Sequence, residues 1–139
     1  DNADFEVRQK PELCLTEKRL RNSFGVELEN RGQGMAKIDQ ATITKIGEEG
    51  TNNLVEFKPL GIEMSNSISL PEGTVLPPGH RWMLVELNEK NFPEDRNPDE
   101  VYNQYLELEK GIRIRLLVQD QIGRKLPELM WTLSGRDDT

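Results

Sequence analysis

Few residues in this chain are of a type that does chemistry, and none has the company that chemistry needs. The lone histidine, His80, follows a proline–glycine turn. As a general base it would need an orienting carboxylate and a nucleophile within reach, and the sequence places neither beside it. It reads as a strand-opening residue. The single cysteine, Cys14, sits in the apolar triplet 13–15 with no helix start nearby to favour its thiolate. It reads as a buried small hydrophobe, and alone it forms no internal disulfide. One histidine and one cysteine are too few ligands for a transition-metal site.

The acidic pairs Glu94/Asp95 and Asp99/Glu100 lack calcium-loop spacing, and the second opens a helix, where the dipole favours acids. The run Asn30-Arg31-Gly32-Gln33-Gly34 contains Gly-x-Gly, but no third glycine and no following helix. That excludes a dinucleotide cradle. The expectation is a protein with no catalytic residues, no cofactor and no metal. What remains is recognition. Trp82 and Trp131, with His80 and Arg113, are candidates for lining a small-ligand pocket between two sheets, although strand tryptophans more often pack a core. Tyr102 and Tyr105 are candidates either to anchor the helix on the sandwich edge or, with Glu107, to form a face turned to a protein partner, which the surrounding acids would prefer basic.

The elements that must position these residues are mostly strands. Residues 24–29 alternate apolar and polar, the 30–34 run tolerates positive φ, and alternation resumes from Ala36 to 46. Ala36 and Ile38 lie on one parity and Ala41 and Ile43 on the other, which predicts a β-bulge near Asp39–Gln40. Upstream, residues 1–4 are a polar tail, and 5–15 are a strand broken by Pro11, so an edge strand. The charged stretch 16–22 reads as a turn. Residues 51–63 fit either a short strand or a helical turn, and 68–70 a short strand. A proline-led turn at 74–79 opens a strand over 80–88, apolar on most of both faces and therefore central. Asn97, Pro98 and Glu100 cap a helix over 98–110, which Gly111 stops. Residues 112–118 alternate cleanly, Asp120-Gln121-Ile122-Gly123 is a hairpin turn, 126–133 return as a strand, and 135–139 are a polar tail. About seven strands and one inserted helix predict an all-β antiparallel sandwich forming a single domain over 5–134.

Composition is consistent with that domain. At 139 residues, the chain is long enough for a hydrophobic core without disulfide staples. Its net charge of −7 argues against nucleic acid, because like charges repel phosphate backbones. No apolar run is long enough to span a membrane, and the chain opens at Asp1 without a signal segment. Any membrane anchor is therefore expected outside residues 1–139.

Three landmarks resemble a known pattern: VELENRGQGMAKI (26–38), LPPGHRWMLVEL (76–87) and IRIRLLVQDQIGRKL (112–126). Together they are similar to bacterial immunoglobulin-like β-sandwich domains of poorly characterised proteins, often set beside N-terminal membrane helices. The matching residues are Asn30, Gly32, Gly34 and Ala36, then Pro78 and Gly79, then Asp120 and Gly123. Met35 stands where that pattern commonly has proline, and the 98–110 helix looks like a lengthened connection. The resemblance implies a non-enzymatic interaction or sensing module of a larger protein, tethered to a bacterial membrane. A small-ligand domain is the alternative.

Overall fold

Strand propensity and alternation produce two four-stranded antiparallel sheets in the computed structural model, which describes residues 10–20, 23–44, 50, 66–67 and 70–133. The first sheet contains β1 (Leu13–Leu20), β2 (Ser23–Asn30), β6 (Arg81–Asn88) and the two-residue β4 (Asn66–Ser67), in the order β1-β2-β6-β4. The second contains the two-residue β5 (Val75–Leu76), β3 (Ala36–Thr44), β7 (Arg113–Gln119) and β8 (Leu129–Thr132), in the order β5-β3-β7-β8. One core joins them. Val26, Leu28, Val85 and Leu87 from the first sheet meet Ile38, Ile43, Ile114, Leu116 and Val118 from the second, all essentially buried. Each such side chain contributes about 1.5–3 kcal/mol on burial. The expected sandwich is the observed one. The 1–4 tail, the first part of the 5–15 strand (5–9), the end of the 16–22 turn (21–22), the end of the strand from Ala36 (45–46), the 51–63 segment, residues 68–69 of the short strand and the 135–139 tail lie outside the described residues.

Two bulges set which side chains reach that core. In β3, Ile38 opposes Val118 and Gln40 opposes Leu117, so Asp39 is the extra residue. The phase shift read from the sequence is this bulge, and it returns Ala41 and Ile43 to the inner face opposite Leu116 and Ile114. In β6, Val26 opposes Val85 and Glu27 opposes Met83, leaving Leu84 as the extra residue. That second shift swings Trp82 onto the inner face opposite Leu28. The strand over 80–88 is central as expected, but its apolar residues on both parities owe as much to the bulge as to its position. Several expectations change. The charged stretch 16–20 is strand, because β1 continues to Leu20, which pairs with Ser23. Cys14 is half-buried rather than buried, since it opposes Glu29 on the outer face.

The helix, here α1, runs over Pro98–Glu109, with Asn97 Oδ1 accepting from the Asp99 N–H (2.8 Å) and Pro98 in the first turn. Gly111 at φ 80° ends it. No helix among the described residues is long and apolar enough to cross a membrane.

The 30–34 run is a corner between the two sheets, since β2 and β3 belong to different ones. Neither Gly32 nor Gly34 has positive φ, contrary to the sequence expectation. Gly32 is required for another reason: a Cβ there would overlap the Lys10 carbonyl and the Glu12 backbone nitrogen, against which the loop lies. The corner is held by Asn30, which is fully buried. Its Oδ1 accepts from the backbone N–H groups of Glu12 (3.2 Å) and Gly32 (3.0 Å). Its Nδ2 donates to the carbonyls of Gly34 (2.9 Å) and Leu76 (3.0 Å). Its backbone N–H donates to the His80 carbonyl (3.0 Å), and its carbonyl accepts from Gly79 (2.8 Å). Replacing Asn30 with Ala leaves buried backbone groups without this partner, at about 1–3 kcal/mol each where water cannot replace it. We expect Asn30→Ala to lose about 3 kcal/mol or more in denaturant unfolding. Asn30→Asp, which keeps the acceptor but loses both donors, should also fall well below wild type. A loss within about 0.5 kcal/mol for both variants would contradict this role.

Candidate functional site

The residues expected to line a pocket do not share one. His80 is exposed in the turn before β6, at the corner end of the first sheet, and its carbonyl is committed to Asn30. Trp82 is half-buried on β6 and packs against the core. Trp131 opposes Ile114 in the second sheet and packs against the same core. Arg113 is exposed opposite Thr44, at the far end of β3 from the corner. The pairing register therefore separates His80 and Trp82 from Arg113 and Trp131, and each tryptophan contributes packing to its own sheet.

Of the two readings of the tyrosines, anchoring fits Tyr105, which is 5% exposed and belongs to the core, so it fixes α1 rather than facing outward. Tyr102 is half-buried against that core. The buried helix stripe is Val101, Tyr105 and Glu109 with Leu106, a spacing of four that lies on one face. Glu107 is exposed and pairs with Lys110 at 2.7 Å.

The structure builds a different site, a solvent-open groove of about 600 Å³ at the β3 bulge. It is lined by Asp39, Gln40 and Ala41 of β3 and by Leu117, Val118 and Gln119 of β7, with Leu70 and Glu72 on one flank and Lys125 and Leu126 on the other. The pairing explains the assembly. Gln40 opposes Leu117 on the outer face. Gly73 donates to the Ile38 carbonyl (2.7 Å) and brings the 70–72 segment alongside β3. Leu126 donates to Val118 (2.9 Å) and brings Lys125 beside Gln119. Across the floor, Gln119 Nε2 donates to Asp39 Oδ1 at 2.9 Å, fixing the bulged carboxylate.

Chemically the groove presents two carboxylates, one ammonium and two amides around aliphatic side chains. Among the described residues no three of His, Cys, Asp and Glu converge as metal ligands. The bulge was legible as a phase shift, and bulges re-aim side chains. Glu72 and Lys125 carried no signal, because only the turns on either side bring them there. Comparison with family models, curated proteins and solved structures gives no match.

The hairpin that supplies Lys125 is fixed by Asp120. Its Oδ1 accepts from the N–H groups of Ile122 (3.0 Å) and Arg124 (2.9 Å), and its Oδ2 from the Arg124 guanidinium (2.8 Å). Gly123 completes the turn at φ 89°. Burial pushes the Asp120 carboxyl up, but the Arg124 backbone N–H, the Arg124 side chain and the Ile122 N–H together hold it below the ordinary value of 3.8. A depressed carboxyl stabilises the fold above its unfolded pKa and loses that contribution as pH falls through its folded value. Asp120→Asn should therefore be less stable than wild type at pH 7. The gap should narrow as pH drops below about 4, measured by thermal unfolding across pH. A gap that is constant or widens towards acid would contradict the assignment.

Proposed function

We propose that this chain is a non-enzymatic recognition module of a larger protein, binding an extended segment of a protein partner in the groove at the β3 bulge. The observation that carries the reading is the groove itself. It is open, set on a rigid sheet, and rimmed by Asp39 and Glu72 on one side and Lys125 on the other. A chain segment with a basic side chain towards the two acids and an acidic one towards Lys125 is complementary to it. Backbone amides of the segment would meet the side-chain amides of Gln40 and Gln119.

The immunoglobulin-like resemblance supports the same reading. In that architecture strands A-B-E-D face C-F-G. Here β1-β2-β6-β4 face β3-β7-β8. One departure is that β5, which follows β4, attaches to the free side of β3. The small-ligand alternative now attaches to the same groove. Its volume is within the range of small-molecule sites, but its polar, open lining favours a peptide.

A photo-crosslinking residue in place of Gln40, introduced into the protein in its native host, is the test. The expected result is a discrete protein adduct that Leu117→Glu abolishes while the melting temperature stays within about 3 °C of wild type. No adduct at Gln40, or one unaffected by Leu117→Glu, would overturn the peptide reading. A hydrolytic activity lost on His80→Ala, with the fold intact, would overturn the non-enzymatic one.

A further inference from the structure

A second feature lies at the corner end of the first sheet, away from the groove. Glu29, at the end of β2, opposes Arg81 at the start of β6, and Arg31 follows two residues on. Glu29 Oε1 accepts from Arg31 Nε and Oε2 from Arg81 Nε, each at 2.6 Å. Both carboxylate oxygens are thus engaged, and the Glu29 side chain is only 12% exposed. The two arginine side chains are 58% and 62% exposed. Their terminal amino groups make no hydrogen bond within the described residues. One shielded carboxylate therefore holds two guanidinium groups, each through its Nε.

The backbone under the triad is fixed by Asn30. Arg31 directly follows Asn30, and its N–H donates to Glu12 (2.7 Å). His80, directly before Arg81, accepts from Asn30. Both arginines hang from the two ends of one buried hydrogen-bond hub, which lowers the ordering cost of a ligand that needs both. Hydrogen bonds from Arg31 and then Arg81 hold the Glu29 carboxyl below its ordinary value, so the triad stays fully charged at neutral pH.

We propose that Arg31 and Arg81 form a binding site for a phosphomonoester group. A guanidinium fork donates two parallel hydrogen bonds to two oxygens, so two forks need an anion with more than two acceptor oxygens. A carboxylate saturates one fork. A phosphomonoester offers three terminal oxygens and close to two negative charges, matching both forks. The triad itself carries a charge of +1, which Glu12 beside Arg31 offsets in part, so the attraction for a phosphoryl group rests on the two forks rather than on net charge.

The test follows the arginine Nε–Hε NMR signals of the 139-residue chain during titration with inorganic phosphate, phosphoserine and acetate at matched ionic strength. Phosphate and phosphoserine should shift the Arg31 and Arg81 signals saturably, and acetate should not. Arg31→Gln and Arg81→Gln should each weaken phosphate binding about tenfold. Tighter binding of phosphoserine than of phosphate would assign the site to an esterified phosphoryl group, and equal binding to the phosphoryl group alone. Equal responses to acetate and phosphate, or phosphate binding unchanged in the double variant, would mean an adventitious ion only and overturn the proposal.

Discussion

The buried amide of Asn30 is the interaction on which the remaining architecture depends. Of the connections that pass between the two sheets, the one from β2 to β3 brings backbone groups together at a buried corner. In this chain a single side chain satisfies four of them, two donors and two acceptors, from segments otherwise far apart in sequence. The pattern also fixes which way the amide points, because Oδ1 meets only N–H groups and Nδ2 only carbonyls. Serine, threonine or aspartate cannot reproduce it: none offers an NH₂ group opposite an acceptor.

Once the corner is fixed, the two bulges decide what each sheet displays. Without Asp39 as an extra residue, β3 would turn either Ile38 or the pair Ala41 and Ile43 away from the core, because a one-residue slip exchanges the faces of a strand. Leu84 plays the same part in β6 and brings Trp82 inward. The β3 bulge has a second consequence: it places a polar side chain where regular pairing would continue, and the groove opens there. Core packing and the groove share one irregularity.

Much of the fold was legible in the sequence because its signals are local. Alternation marked β2, β6 and β7, the Asn97–Pro98 pair marked the helix start, and the parity change marked the Asp39 bulge. The candidate site was largely illegible because it depends on register. His80, Trp82, Arg113 and Trp131 looked like a set by residue type, but antiparallel pairing sends them to opposite ends of different sheets. Residue type left Tyr105 open between anchor and contact face, and its place on the helix stripe with Val101 puts it in the core. Gly32 looked like a conformational glycine, whereas what it supplies is room for the Lys10–Glu12 backbone. Charge alone marked the 16–20 stretch as a turn, and pairing with β2 made it strand.

The Asn30 corner should be as stable as the sandwich it joins. Native-state hydrogen exchange of the backbone N–H groups of Asn30, Gly32 and Gly79 measures this, because each is held by Asn30 or donated from it. All three should exchange only through global unfolding, with the same opening free energy as Val26 and Val85 in the paired strands β2 and β6. Exchange of Gly32 and Gly79 at the rate of an exposed loop, while Val26 and Val85 remain protected, would contradict it.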